Sequence, residues 1–301
     1  LTFVPIQTYV TTEAYTEHSL TDAQREQCLE GIDRDTYVTL PITLPTSTIE
    51  CANAYIDTHC AQIPAAVAAE RGFSETNIVE RDPVFRELLT YKPALQLSYD
   101  IFGPMFHLGQ DKWTRKCRAV DGHDPQALIW HSDGPLGFPE VDGRCPLHTL
   151  RFGYFMSDAL EDDCGTLEVI RGSHHKKILH AQESIHRRPF TRPRDDDFVT
   201  GHVIVKGKAG TIIAFHNAIW HRALPNLTDT PRTIVYFQYC PTMMHPLHRP
   251  VPYEGDMSHF TAEERWLLGE PRSPNSWVIG SEEDRARMDR FRRSAESSNR
   301  R

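Results

Sequence analysis

No stretch of the 301 residues approaches the ~20 consecutive apolar residues that span a bilayer, so no membrane helix is expected. The opening LTFVPIQTYVTTEAYTEH also lacks the charged-then-apolar order of a secretory signal. The seven cysteines (Cys28, Cys51, Cys60, Cys117, Cys145, Cys164 and Cys240) are odd in number and scattered, with no pair at two-residue separation. That distribution argues against a disulfide framework, a zinc knuckle and a dithiol redox motif, and it favours reduced thiols. An intracellular, cytoplasmic location is the expectation. An excess of positive charge is missing too: 33 Lys and Arg stand against 41 Asp and Glu, a net charge of −8. Such a surface is poorly suited to tracking phosphates, which argues against nucleic acid as the main partner. The chain has no internal repeat. With 39% hydrophobic residues it can fill one sizeable core, and a single domain over residues 1–301 is expected.

The first third reads as helical. Thr21-Asp-Ala-Gln24 and Ser47-Thr-Ile-Glu50 each have the form of a capping box, with Tyr37-Val-Thr-Leu40 between them as a short strand before Pro41. A third helix is expected from Phe85 to Thr90, and a fourth with Pro93 in its first turn and Gly103 at its end. From about residue 105 the period changes to two. Strands are expected at Met105–Leu108, Leu150–Met156, Thr166–Ile170, His202–Val205, Thr211–Phe215 and Thr233–Tyr239. Short strands separated by Gly, Pro and Asp turns suggest a sandwich or barrel. The stretch Arg187–Asp197 reads as an exposed loop, and Thr261–Leu268 as a helix in an extension from about 241 to 301 that closes with charge. The expected architecture is therefore a helical part over about 1–104, a β-core over about 105–240 and that extension.

His131-Ser-Asp133 follows the apolar run Ala127-Leu-Ile-Trp130, and strand alternation would turn both side chains to one side, where they can share a metal. Alone the signal is weak, because sixteen histidines in an Asp-rich chain give a His-x-Asp by chance. A second cluster, Gly210-Thr-Ile-Ile-Ala-Phe-His216-Asn-Ala-Ile-Trp-His221, supplies two further candidate imidazoles. Two His and one carboxylate on a β-scaffold make the facial triad of non-haem iron oxygenases, which leaves adjacent coordination positions open. A closed four-ligand zinc site would need another Cys or His at suitable spacing, and none is evident.

Most of the chain, from Leu20-Thr-Asp-Ala-Gln24 to about Gly269, resembles the phytanoyl-CoA dioxygenase family. Trp130-His-Ser-Asp133 is similar to that family's Trp-His-Gln-Asp motif. Asp163-Cys-Gly-Thr-Leu-Glu-Val-Ile-Arg-Gly-Ser-His174 is similar to its Asn-Gly-x-Leu-x-Val-Ile-Pro-Gly-Ser-His stretch. The spacing of His221 to Asn226 and to Arg232 matches the family's distal ligand and selects His221 over His216. The resemblance implies a double-stranded β-helix, a jelly roll of cupin type, with His131, Asp133 and His221 on Fe(II). It implies 2-oxoglutarate as cosubstrate, its far carboxylate on Arg232, and O2 as oxidant. Tyr154, eleven residues before Gly165, falls where relatives place an aromatic residue against the cosubstrate; plain core packing is the alternative reading. Cys164, Arg171 and Thr211 depart from the family at turn or supporting positions. Ala223 stands where many relatives carry Ser or Thr, so another hydroxyl or amide is expected to assist the cosubstrate. Asp133 disfavours halogenation, since related halogenases lack that carboxylate.

The implied activity is oxidation, by default hydroxylation, of a small organic molecule with release of succinate and CO2. The alternatives are an iron dioxygenase of the same fold that needs no 2-oxoglutarate, which Arg232 argues against, and a retired β-helix serving as a binding module, which the intact ligand set argues against. A protein oxygenase is a further alternative, though no recruitment domain or extended basic surface is evident. The stretch Lys112-Trp-Thr-Arg-Lys-Cys-Arg118 and the segment Arg187–Arg194 read first as solvated charged faces, and otherwise as receivers of an anionic substrate. Lys116 is kept from the first as a substrate contact. His174 and His175 are assigned to the Gly-Ser-His turn and not to metal.

Overall fold

In the computed structural model the described residues are 19–120, 124, 130–133, 145–174, 202–246 and 255–269. In chain order they form α1 (Asp22–Asp35), β1 (Tyr37–Thr43), α2 (Thr46–Gln62), α3 (Ala65–Arg71), β2 (Phe73–Thr76), α4 (Pro83–Leu89) and α5 (Lys92–Phe102). There follow β3 (Phe106–Lys116), β4 (Leu150–Phe155), β5 (Leu167–Ile170), β6 (His202–Ile204), β7 (Thr211–His216), β8 (Trp220–Ala223), β9 (Arg232–Pro241) and α6 (Ala262–Leu267). Six strands make one sheet in the order β1-β7-β4-β9-β3-β2, and three make a second in the order β6-β5-β8. Where registers are defined the pairings are antiparallel. The architecture is mostly β with flanking helices, as expected. Among the described residues no helix is long and apolar enough to cross a membrane.

Local chemistry explains most element boundaries. At the start of α1 the Thr21 hydroxyl accepts from Gln24 N–H at 3.3 Å while the Gln24 side chain accepts from Thr21 N–H at 2.9 Å, a reciprocal cap. The box expected at Ser47 does not form; α2 starts at Thr46 behind Pro45, whose fixed φ leads into the first turn without a side-chain cap. Asp82 caps α4 by accepting from Val84 N–H at 2.9 Å. α5 carries Pro93 in its first turn and ends at Gly103, where φ is +68°. α6 has a complete capping box between Thr261 and Glu264.

The strand predictions need three corrections. β1 runs through Pro41 to Thr43; it lies at the sheet edge, where a missing N–H is tolerated. β2 and β8 were not foreseen, being only four residues each. The stretch Lys112–Arg118, read as a solvated charged face, instead continues β3 as far as Lys116, with Trp113 and Lys116 buried.

The chain divides into two compact units, one taking in the described parts of residues 1–29, 77–111 and 237–301, the other those of 30–76 and 112–236. In the first, Asp111 accepts from Val79 N–H at 3.0 Å, Tyr239 donates to the Leu89 carbonyl at 2.7 Å, and Arg25 pairs with Asp100 at 2.6 Å. The second holds an apolar core of Phe155, Val169, Ile213, Phe215, Ile234 and Tyr236. The loop reading of Arg187–Asp197 and the closing charged stretch lie outside the described residues.

Candidate metal centre

The backbone fixes the first two donors relative to each other. His131 and His221 form a single antiparallel bridge pair, each N–H donating to the other's carbonyl at 2.9 Å, and their ring centroids are 4.3 Å apart. His221 is in turn carried by β8, whose register sets it opposite Val169 on β5. Asp133, two residues beyond His131, brings its carboxylate 3.8 Å from His131 Nε2 and 3.6 Å from His221 Nε2. Donor atoms of the three residues all lie within 4.8 Å of one another, close enough to share one ion. His221 is buried, whereas the His131 side chain is 27% exposed, so the group opens on the His131 side.

The His221 tautomer follows from its partner. Nδ1 lies 3.1 Å from the Ile219 carbonyl, which can only accept, so Nδ1 carries the proton and Nε2 keeps its lone pair for an ion. Burial pushes the His221 imidazole down to about 4, with Asp133 opposing, so it is neutral at physiological pH. Burial works against ionisation of Asp133, but Arg151 and then the two histidines and Lys112 outweigh it and hold the carboxyl well below its usual range. Arg151, on β4, places Nη1 2.8 Å from Asp133 Oδ2. Two imidazoles and an ionised carboxylate, with no fourth protein donor in the group among the described residues, fit an octahedral ion such as Fe(II) better than a closed tetrahedral zinc site.

His216 stands apart from this group. Its Nδ1 accepts from Ala218 N–H at 2.9 Å and its ring lies 5.2 Å from that of His174. Burial, then the neighbouring His174 and His148, pushes it down to about 3. Its partner His174 sits buried in the turn after β5, where the sequence reading put it; His175 is outside the described residues.

Arg232 opens β9 and is 2% exposed. Its Nε donates to the Gly165 carbonyl at 2.9 Å, Nη2 donates to the same oxygen, and Nη1 lies 3.5 Å from Thr114 Oγ1. Gly165 has φ +77°, and a Cβ there would lie 2.8 Å from Asn226 Cβ, so only glycine fits. Asn226 braces the same corner: its amide donates to the carbonyls of Lys116 and Thr230, both at 2.9 Å, and its oxygen accepts from Thr228. The spacing from His221 through Asn226 to Arg232 thus has a mechanical cause, an asparagine tying the β8–β9 connection to β3 and to the Gly165 turn.

Lys116 is buried beside this corner, its ammonium 3.0 Å from Asp124 and 2.7 Å from the Leu224 carbonyl. Burial, reinforced by Arg232, pushes it down to about 8 against the pull of Asp124. Tyr154 falls on the face of β4 opposite to Arg151, sharing it with Phe152, whose ring stacks 6.5 Å away. The tyrosine beside Arg232 is Tyr236, on the inner face of β9, with its phenol raised by burial and lowered in part by Arg232. Sequence reasoning missed Arg151, and it took Lys112 and Thr114 only as part of the basic stretch Lys112–Arg118, read first as a solvated face and otherwise as a receiver of an anionic substrate. Burial, and then Arg151, pushes Lys112 down to about 8 while Asp133 pulls upward. The signal for Lys112 and Thr114 was their period-two spacing with Lys116, which puts all three on one face of a strand.

Residues 56–234 match the family described as phytanoyl-CoA dioxygenase (PhyH). The span exceeds half of the chain. The chain therefore belongs to that family, whose members are Fe(II)- and 2-oxoglutarate-dependent oxygenases. It is 25% identical over 244 residues to L-proline trans-4-hydroxylase of Streptomyces griseoviridis, covering 72% of this chain and 88% of the relative. Among solved structures, HygX of Streptomyces hygroscopicus with nickel and 2-oxoglutarate bound superposes with a TM-score of 0.59 at 20% identity, covering 82% of this chain and 94% of that one. The non-haem α-ketoglutarate-dependent epimerase SnoN from nogalamycin biosynthesis gives 0.55 at 20% identity over 78% and 96%. The two sheets and their helices are accordingly the double-stranded β-helix implied by the resemblance.

Proposed function

We propose that this protein hydroxylates a small organic molecule, with His131, Asp133 and His221 holding Fe(II) and Arg232 receiving the far carboxylate of 2-oxoglutarate. The observation that carries the reading is the convergence of one carboxylate and two imidazole nitrogens within 4.8 Å, open on one side. The proline hydroxylase relative supports a small substrate. Iron, 2-oxoglutarate and O2 together supply the oxidising power, splitting the cosubstrate to succinate and CO2 as a substrate C–H bond is oxidised.

The chain's own residues do the positioning. The Ile219 carbonyl keeps His221 Nε2 free to ligate, and Arg151 orients Asp133 by holding one carboxylate oxygen. Gly165 and Thr114 fix the Arg232 fork so that its remaining N–H groups face a carboxylate, an arrangement that loses little entropy on binding. Thr114, 3.5 Å from Arg232, offers the hydroxyl that Ala223 cannot, and the Tyr236 phenol lies beside the same guanidinium.

Anaerobic titration of the apoprotein with Fe(II) and 2-oxoglutarate tests this. A weak visible metal-to-ligand charge-transfer band should appear and be lost in His131→Ala. A folded protein that never gives the band would leave the family fold without the family chemistry.

A further inference from the structure

One cation of the site is matched by none of the charges assigned so far. Among the described residues the Lys112 ammonium makes no hydrogen bond and no ion pair; its Nζ rests 5.5 Å from the centre of the Tyr236 ring. Its charged surroundings are Arg151, Asp133 and Arg232. Asp133 is already engaged by Arg151 at 2.8 Å, and the nearby Asp124 by Lys116 at 3.0 Å. Among the described residues, four cations (Lys112, Lys116, Arg151 and Arg232) therefore stand with two carboxylates. Adding a divalent ion and the dianionic cosubstrate leaves that surplus unchanged, because their charges cancel. One carboxylate of 2-oxoglutarate belongs to the ion and the other to Arg232, so neither neutralises Lys112. An unmatched ammonium in a desolvated setting is costly unless an anion joins it.

Position points the same way. Lys112 and Thr114 share one face of β3, where same-face neighbours are about 7 Å apart. Thr114 lies against Arg232, and Lys112 is the next residue along that face; Arg151, its neighbour in charge, is bonded to the ligand Asp133. An anion at Lys112 would sit beside the metal donors, where the molecule being oxidised must lie.

We propose that the primary substrate carries a carboxylate and that Lys112 receives it, with the Arg151 charge behind. The proposal rests on the iron and 2-oxoglutarate reading above and names the substrate class for that same site. A monoanion suits a single ammonium; the amphipathic seat formed by the Tyr236 ring suits the carbon next to it.

The test uses anaerobic protein loaded with Fe(II) and saturated with 2-oxoglutarate, into which propionate is titrated with propionamide as the neutral control. Saturable propionate binding in the millimolar range is expected, with propionamide at least about tenfold weaker, the worth of one charge-assisted hydrogen bond. Lys112→Gln should weaken propionate by a similar factor and Lys112→Arg should restore it, circular dichroism confirming that both variants are folded. No saturable binding to the parent protein, equal affinity for propionamide, or undiminished binding in folded Lys112→Gln overturns the proposal. Binding only when 2-oxoglutarate is left out also overturns it, by assigning Lys112 to the cosubstrate. If the charge-transfer band forms and propionate does not bind, this inference alone fails; if the band never forms, the iron reading fails first.

Discussion

Arg151 Nη1 and Asp133 Oδ2 are 2.8 Å apart, an ion pair made by a strand residue that no metal motif contains. It makes Asp133 a structural partner as well as a proposed ligand. Asp133→Ala should abolish iron binding, with a loss well beyond the roughly 10–100-fold typical of removing a supporting partner. It should also destabilise the metal-free protein by about 3 kcal/mol, because the buried Arg151 guanidinium loses the carboxylate 2.8 Å from it. Asp133→Asn, which keeps the shape and a hydrogen-bond acceptor, should lose iron while recovering most of that stability. Urea unfolding of the apoproteins beside iron titrations separates the two effects; equal stability of all three would show that the pair contributes nothing.

Arg232→Lys should raise the KM for 2-oxoglutarate by about tenfold to a hundredfold, the loss expected when a two-pronged charged contact becomes a single one. The lysine cannot hold the Gly165 carbonyl and a carboxylate together as the fork does. Succinate release measured against cosubstrate concentration checks this, and an unchanged KM would remove Arg232 from the cosubstrate site.

What could be read in the chain was what is local. The cap at Thr21, the helix from Thr261, the Pro93 and Gly103 punctuation of another helix and the alternation in the Leu150, Thr211 and Thr233 segments are short-range signals, and the structure carries them. So was the spacing of His131, Asp133 and His221, which the fold brings together. What escaped depends on partners distant in sequence. β2 is strand because it pairs with β3 from Lys112 to Arg115, and β8 because it pairs with β5. The basic β3 segment misled because interior strands are usually apolar, whereas here Lys116 is buried and Lys112 and Thr114 are half-buried on the same strand face. Tyr154 and Tyr236 could be told apart only by which face of each strand looks onto Arg232, which a count of residues from Gly165 does not supply.

Gly165→Ala should cost about 2 kcal/mol or more in stability. The residue sits at φ +77°, where a side chain alone costs about 1–2 kcal/mol, and the added Cβ would press to 2.8 Å from Asn226 Cβ. Because the Gly165 carbonyl holds Arg232, the same change should weaken 2-oxoglutarate binding while leaving iron affinity nearly intact. Parallel iron and 2-oxoglutarate titrations decide it; equal losses of both ligands would point to general unfolding of the site.

Stability should fall on both sides of a mid-range pH, through two buried groups in different units. Burial, and then Glu264, raises Glu263 from 4.5 to about 8, so the folded protein holds a proton there that the unfolded chain has released. Its contribution is complete below about 4.5 and is lost as pH rises through about 8, with a slope of up to about 1.4 kcal/mol per pH unit. His216 is the converse. Its imidazole is held neutral down to about 3, so its contribution is complete above 6.5 and is lost as pH falls from 6.5 towards 3. Glu263→Gln should flatten the alkaline limb of a urea-midpoint profile and leave the acid limb, whereas His216→Gln should do the reverse. A Glu263→Gln profile that still falls between pH 5 and 8 as steeply as the parent would assign the alkaline loss to another group.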